Sequence, residues 1–183
     1  LIGGDTTRGP LSITVSAKGT VAAKAAIRRS GAKVGDAIYV SGTLGAAALA
    51  VQQRLHQFHV PDEALKICVQ HMDYPQPRCE LGIALRGIAN SALDLSDGLA
   101  GDLMHILRAS KVAAEIELSS LPIDPAVTQS VTPDQALQLA LGGGDDYELC
   151  FTVPSEHEPQ LEELATALTL PLTRIGTITE GTP

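Results

Sequence analysis

An α+β fold, with a mixed β-sheet packed against helices, is expected for this chain. Three observations predict it. Segments that alternate with period two and segments with apolar residues every three or four positions follow one another, at spacings that mix hairpins with crossovers. The apolar share is 44% but aromatic residues make up only 3%, so the core has to be aliphatic. At 183 residues the chain can bury one real core with an appendage.

Residues 11–17 alternate, with Leu11, Ile13, Val15 and Ala17 on one side and Ser12, Thr14 and Ser16 on the other. That is the pattern of a half-buried strand. Residues 19–32 favour helix until Arg28-Arg29-Ser30-Gly31 breaks them. Lys33-Val34-Gly35-Asp36 turns the chain into a short apolar strand over 37–40. A helix is expected over 44–55, with Leu44, Ala47, Ala48, Val51 and Leu55 on one face. Pro61, Asp62 and Glu63 open a second helix, since acids suit the positive end of the helix dipole. Its buried stripe is Leu65, Cys68, Val69 and Met72, and Tyr74-Pro75-Gln76-Pro77 ends it.

A third helix covers 79–88, and a short strand covers 92–95. Ser96 suits the N-cap of a helix to residue 108 that buries Leu99, Leu103, Met104 and Leu107. Over 112–118, Val112, Ala114, Ile116 and Leu118 alternate with Glu115 and Glu117, giving a strand with one wet face. Thr132-Pro133-Asp134 starts a helix to 141, and 147–153 is a strand. Ser155 and Glu158 form a capping box before a helix carrying Leu161, Leu164 and Leu168. A strand over 172–178 follows.

The net charge of −8 argues against a nucleic-acid or anionic-membrane partner, which would need a basic face. An acidic protein that binds phosphates needs metal ions or placed arginines, and Arg8, Arg28 and Arg29 are the candidates. Cys68, Cys79 and Cys150 are scattered without C-x-x-C spacing, which favours reduced thiols and a cytoplasmic location. His56 and His59 lack a third ligand nearby and read as surface residues. No run reaches transmembrane length and no signal peptide is visible. Leu1 and Pro183 both read as cuts inside a larger protein.

Carboxylates lie beside glycines in three places: Gly3-Gly4-Asp5-Thr6-Thr7, Asp94-Leu95-Ser96-Asp97-Gly98 and Gly142-Gly143-Gly144-Asp145-Asp146-Tyr147. Taken singly, each is a turn. Together they describe a site for a phosphorylated ligand with magnesium, because glycine lets backbone amides approach an anion and carboxylates supply hard oxygen. No G-x-x-x-x-G-K-[ST] is present, so this is not a P-loop. Asp94 at a strand end and Asp97 in the first helical turn can hold a metal, while Ser96 and the helix N-terminus receive phosphate. Asp145 and Asp146 point opposite ways at a strand entrance, one toward ligand and one toward loop amides.

These motifs, with Arg29-Ser30-Gly31-Ala32-Lys33-Val34-Gly35-Asp36 and Pro75-Gln76-Pro77-Arg78, resemble the thiamine-monophosphate kinase family of the AIR synthase-related ATP-binding superfamily. The resemblance spans essentially the whole chain. It implies ATP-dependent phosphorylation of thiamine phosphate to thiamine diphosphate by direct, Mg²⁺-assisted transfer. It implies ATP contacts from Gly4, Asp5, Arg29 and Ser96, metal contacts from Asp5, Asp94 and Asp97, and a substrate contact from Asp145. The family often has Glu where this chain has Asp145. It names no catalytic base or nucleophile. Residues 1–18 would be the last segment of a truncated N-terminal domain, and residues 19–183 an α+β C-terminal domain incomplete at its end. The family's upstream metal aspartates and its C-terminal aromatic are not in this sequence, so the chain alone is expected to be inactive. The full-length protein would be a homodimer. The alternatives are another AIR synthase-related ATP-dependent enzyme, or a non-catalytic nucleotide- or metal-binding module.

Overall fold

The computed structural model describes residue 10, residues 14–16 and residues 18–183. Among them, strand β1 (Ala37–Ser41) is followed by helices α1 (Ala46–Arg54), α2 (Asp62–Asp73) and α3 (Cys79–Ala84). Strand β2 (Ser91–Asp94), helix α4 (Leu99–Ser110) and strand β3 (Ala113–Ile116) come next. Helices α5 (Pro125–Thr128) and α6 (Pro133–Gly142) precede strand β4 (Leu149–Val153), helix α7 (Glu158–Leu168) and strand β5 (Leu172–Thr179). The strands form one sheet in the order β2-β4-β1-β5-β3. Its four ladders are antiparallel. Among the described residues, parallel pairing enters at the isolated bridges Arg28–Ser91 and Leu44–Ile123. The α+β expectation holds.

β1 carries no charged side chain and is buried along its whole length, as its central place requires. Its alternation serves both faces of the sheet. Ile38 and Val40 join Leu93, Cys150, Ile175 and Ile178 on one face. Against them α4 lays Leu99, Leu103, Ile106 and Leu107, the spacing of one helical stripe. On the other face Ala37, Tyr39, Phe151 and Val153 meet Leu81 from α3 and Leu161 from α7. Tyr39 and Phe151 are cross-strand partners with rings stacked at 5.7 Å. A second core, around Leu49, Cys68, Val127 and Leu139, ties α1, α2, α5 and α6 together beside the sheet.

Several local expectations give way to tertiary partners. Ser96 does not cap α4; Gly98 holds that position with φ of 111° and no side-chain cap. The Asp102 carboxylate instead accepts the N–H groups of Ser96 (2.8 Å) and Asp97 (2.9 Å), so Asp97 precedes the helix. The Ser155–Glu158 box does not form, because Glu158 accepts the Tyr39 hydroxyl at 2.7 Å and lies 3.5 Å from Arg174. A capping box does form between Thr132 and Gln135 at the start of α6. α3 stops at Ala84, short of residue 88, with Gly87 at φ of 80°. Residues 19–27 are not helical; they offer no continuous apolar stripe to bury. Residues 14–16 are exposed and not strand, whereas the rest of the expected strand, apart from these, lies outside the described residues.

Candidate functional site

The structure joins the second and third Gly-Asp clusters into one loop pair. Beyond the β2–β4 ladder, Leu95 N–H donates to the Glu148 carbonyl (2.8 Å), Tyr147 N–H to that of Leu95 (2.8 Å) and Asp145 N–H to that of Ser96 (2.9 Å). The glycines make this approach possible. A Cβ on Gly144 would lie 2.6 Å from the Ser96 carbonyl oxygen, and one on Gly98 would lie 2.9 Å from the Gly142 carbonyl carbon. These glycines therefore serve contact between the loops. The amides of Ser96 and Asp97 are likewise committed to Asp102.

What the loop pair presents is carboxylate. Asp94 and Asp97 are exposed, and Asp145 is half-buried. The Tyr147 hydroxyl donates to Asp145 Oδ1 at 3.3 Å. Its phenol is pushed above the ordinary tyrosine value by the Asp145 charge first, then by burial, by that hydrogen bond, and by the charges of Asp94 and Asp97. The charges of three aspartates thus act on one phenol, and Asp145 is hydrogen-bonded to it. Asp145 and Tyr147 hold left-handed backbones (φ 68° and 50°), outside the extended range, and β4 begins only at Leu149.

The adjacent Asp146 engages a different neighbour, as expected of consecutive residues. Both its oxygens accept Gly45 N–H, at 3.0 and 3.1 Å, at the start of α1. Burial pushes this carboxyl up to about 7, against the lowering effect of that bond, with Glu148, Asp124 and Asp145 adding to the rise. The folded state therefore holds the proton more tightly than the unfolded chain. The resulting stability is full below about 4 and is lost as pH rises through about 7. Asp146→Asn, which has no charge to bury, is expected to gain on the parent across that window. The gain at pH 8 is about 1–2 kcal/mol after allowance for solvent screening. Urea denaturation of both proteins at pH 4 and pH 8 checks it; an equal difference at the two pH values would remove Asp146 as the source.

Beside the aspartates lies a largely apolar cavity of about 400 Å³. Pro75, Pro77 and Cys79 line it from the stretch that leads into α3, and Asp94, Tyr147 and Leu149 from the ends of β2 and β4. Arg78 borders it too, but its guanidinium is held by Glu148, with Nε 2.7 Å from Oε2 and Nη2 on Oε1. Glu148 is 3% exposed and also accepts the Ser41 hydroxyl.

Arg29 is not part of this constellation. Its carbonyl accepts the Ser110 hydroxyl at 3.1 Å, at the far end of α4, about 18 Å of helix from Gly98. Gly4 and Asp5 lie outside the described residues. Among the described residues, no group of three or more His, Cys, Asp and Glu side chains is arranged to hold a metal ion. Asp94 and Asp97 offer a pair of hard oxygen donors, which fits a Mg²⁺ that takes its other ligands from water and phosphate. Sequence reasoning passed over Asp102 and gave Arg78 and Glu148 no role; a buried acid in a helix's first turn and an Arg directly after a Pro-x-Pro were the available signals.

Residues 33–183 match the family described as AIR synthase related protein, C-terminal domain. The chain is 50% identical over 181 residues to the thiamine-monophosphate kinase of Escherichia coli strain K12, covering 98% of this chain and 55% of that protein. It thus spans about half the length of the curated relatives it matches. The crystal structure of thiamine-monophosphate kinase from Stenotrophomonas maltophilia K279a superposes with a TM-score of 0.84 at 42% identity, over 88% of this chain and 53% of that one. AaThiL complexed with AMPPCP and TMP superposes with a TM-score of 0.73 at 30% identity, over 85% of this chain and 48% of that one.

Proposed function

The chain belongs to the AIR synthase related protein family through its C-terminal domain, and from that premise we propose that it forms part of an ATP-dependent thiamine-phosphate kinase. The observation that supports this reading is an apolar cavity lined by Asp94 and Tyr147, with Asp145 hydrogen-bonded to that Tyr147 and Asp97 on the loop that follows Asp94. Such a site suits an acceptor with a cationic heteroaromatic ring and a phosphate. The ring's apolar faces fit between Pro75 or Pro77 and Leu149, and its positive charge is attracted to Asp145. Asp145 carries the substrate contact with a shorter reach than the Glu often found there.

In the reaction, a phosphate oxygen of thiamine phosphate attacks the γ-phosphorus of ATP. The bond from that phosphorus to the bridging oxygen breaks, and thiamine diphosphate and ADP result. Asp94 and Asp97 would hold Mg²⁺, which when bound neutralises phosphate charge. Ser96, whose amide is already anchored by Asp102, holds its hydroxyl at the loop where ATP would lie. Gly4 and Asp5 would act on the nucleotide and metal from outside the described residues. Arg29 would reach the nucleotide from the far end of α4. Transfer of this kind depends on positioning and charge neutralisation, so the chain's residues need supply no nucleophile. The division at residue 18, pairing of the whole protein into a dimer and a cytoplasmic location go with this reading. Among the described residues no helix is long and apolar enough to cross a membrane.

Cys79 makes the cavity testable without turnover. It is exposed on the cavity wall, whereas Cys68 and Cys150 are buried. Thiamine phosphate is expected to slow alkylation of Cys79 in the 183-residue chain several-fold. An unchanged rate at the highest soluble concentration would count against acceptor binding in this cavity.

A further inference from the structure

The Arg78–Glu148 pair stands beside the acceptor cavity yet has no part in the chemistry just described. An arginine next to a phosphate site is ordinarily a phosphate ligand, because its planar fork matches phosphate oxygens. Here one edge of that fork is committed. Nε and Nη2 meet the two oxygens of Glu148, whose side chain is 4% exposed. The Ser41 hydroxyl donates to the same carboxylate while accepting Leu149 N–H at 2.9 Å. Gly42 leaves the room for it: a Cβ there would lie 2.1 Å from Glu148 Oε1. Drawing Arg78 away would leave a buried carboxylate without its counter-charge, which is strongly disfavoured.

The pair also ties together the two stretches of chain that line the cavity. Arg78 lies between the Pro75–Pro77 loop and α3, in the stretch that carries Cys79. Glu148 is buried behind the lining, in the chain between the lining residues Tyr147 and Leu149, and its carbonyl accepts Leu95 N–H at 2.8 Å beside Asp94. A bidentate bond between the two stretches sets their separation. We propose that Arg78 and Glu148 are positioning residues, a fixed strut that sets the width of the cavity for the acceptor's ring, and that Arg78 is not a clamp for its phosphate. This rests on the acceptor reading above.

Two measurements on the 183-residue chain test it. The first needs no ligand. Arg78→Lys and Glu148→Gln each break the bidentate bond, and the rate of Cys79 alkylation in the free protein is expected to change by about twofold or more as the surroundings of this exposed thiol shift. The double variant Arg78→Gln with Glu148→Gln replaces the charges by two amides that can bond each other, and is expected to return the rate toward that of the parent. Rates unchanged in both single variants, in chains whose urea midpoints show them folded, would overturn the strut. The second measurement compares thiamine with thiamine phosphate by calorimetric titration. A strut predicts that Arg78→Lys weakens both by the same factor, leaving their ratio at the parent's value. A clamp predicts loss confined to thiamine phosphate, and that result would also overturn the proposal. If the parent chain binds neither compound, the acceptor reading fails, and the alkylation rates alone decide whether the strut exists.

Discussion

Asp94→Asn is expected to lower kcat by about 100-fold or more in a chimaera in which this chain replaces the matching half of the Escherichia coli relative. Asp94 ends β2, is exposed, and lines the same cavity as Tyr147, the hydrogen-bond partner of Asp145. Asn keeps its volume and removes its charge, so the hydrophobic core is untouched while the proposed Mg²⁺ loses a ligand. Asp97→Asn is expected to act in the same direction, and raising Mg²⁺ should recover part of the loss in either variant. The unmutated chimaera sets the scale by its ADP release with ATP and thiamine phosphate; the 183-residue chain alone is expected to give none. A kcat within twofold of the parent at saturating Mg²⁺, with an unchanged urea midpoint, would take Asp94 out of the site.

Gly144→Ala is expected to cost about 3 kcal/mol of stability. The added methyl group would lie 2.6 Å from the Ser96 carbonyl oxygen, and that oxygen accepts Asp145 N–H at 2.9 Å. The clash is with backbone, so no rotamer change relieves it. The two loops must part, separating Asp145 from Asp94 and Asp97. Activity in the chimaera is therefore expected to fall along with the denaturation midpoint. Gly101→Ala on α4 is the control, since a Cβ there meets nothing within 4 Å. Its expected effect is neutral or mildly stabilising, because alanine favours helix. If the two variants unfold at the same denaturant concentration, the close approach of the loops is not a constraint.

The helices and strands were legible where burial repeats with a single period. The α4 stripe through Leu99, Leu103 and Leu107 could be read directly because it records contact with one continuous surface, and the apolar run of β1 because that strand is buried on both faces. The Gly-Asp clusters were legible as places of close approach. What approaches there was not, since sequence does not distinguish a phosphate from a neighbouring carbonyl. Ser96 shows the same limit at a helix end: its cap propensity is local, but Asp102 satisfies the amides first. Arg78 and Glu148 are 70 positions apart, Ser41 and Glu148 107 apart, and no local pattern links them. The carboxylates of the candidate site were visible; the groups that hold their loops in place became visible only in three dimensions.

The central position of β1 has a consequence for how the protein is made. Its register partners, Val153 in β4 and Thr177 in β5, are translated long after Ala37. At ordinary elongation rates the wait is on the order of ten seconds. Throughout it, an uncharged strand has emerged from the ribosome with neither neighbour yet available. α1 and α2 are close in sequence and can pair early, but the sheet cannot close until β5 has been made. The loop pair that gathers Asp94, Asp97 and Asp145 is built on β4, so it too comes late. A nascent chain stalled before residue 149 would display the first aspartates with nothing opposite them, and its β1 would be a binding site for chaperones.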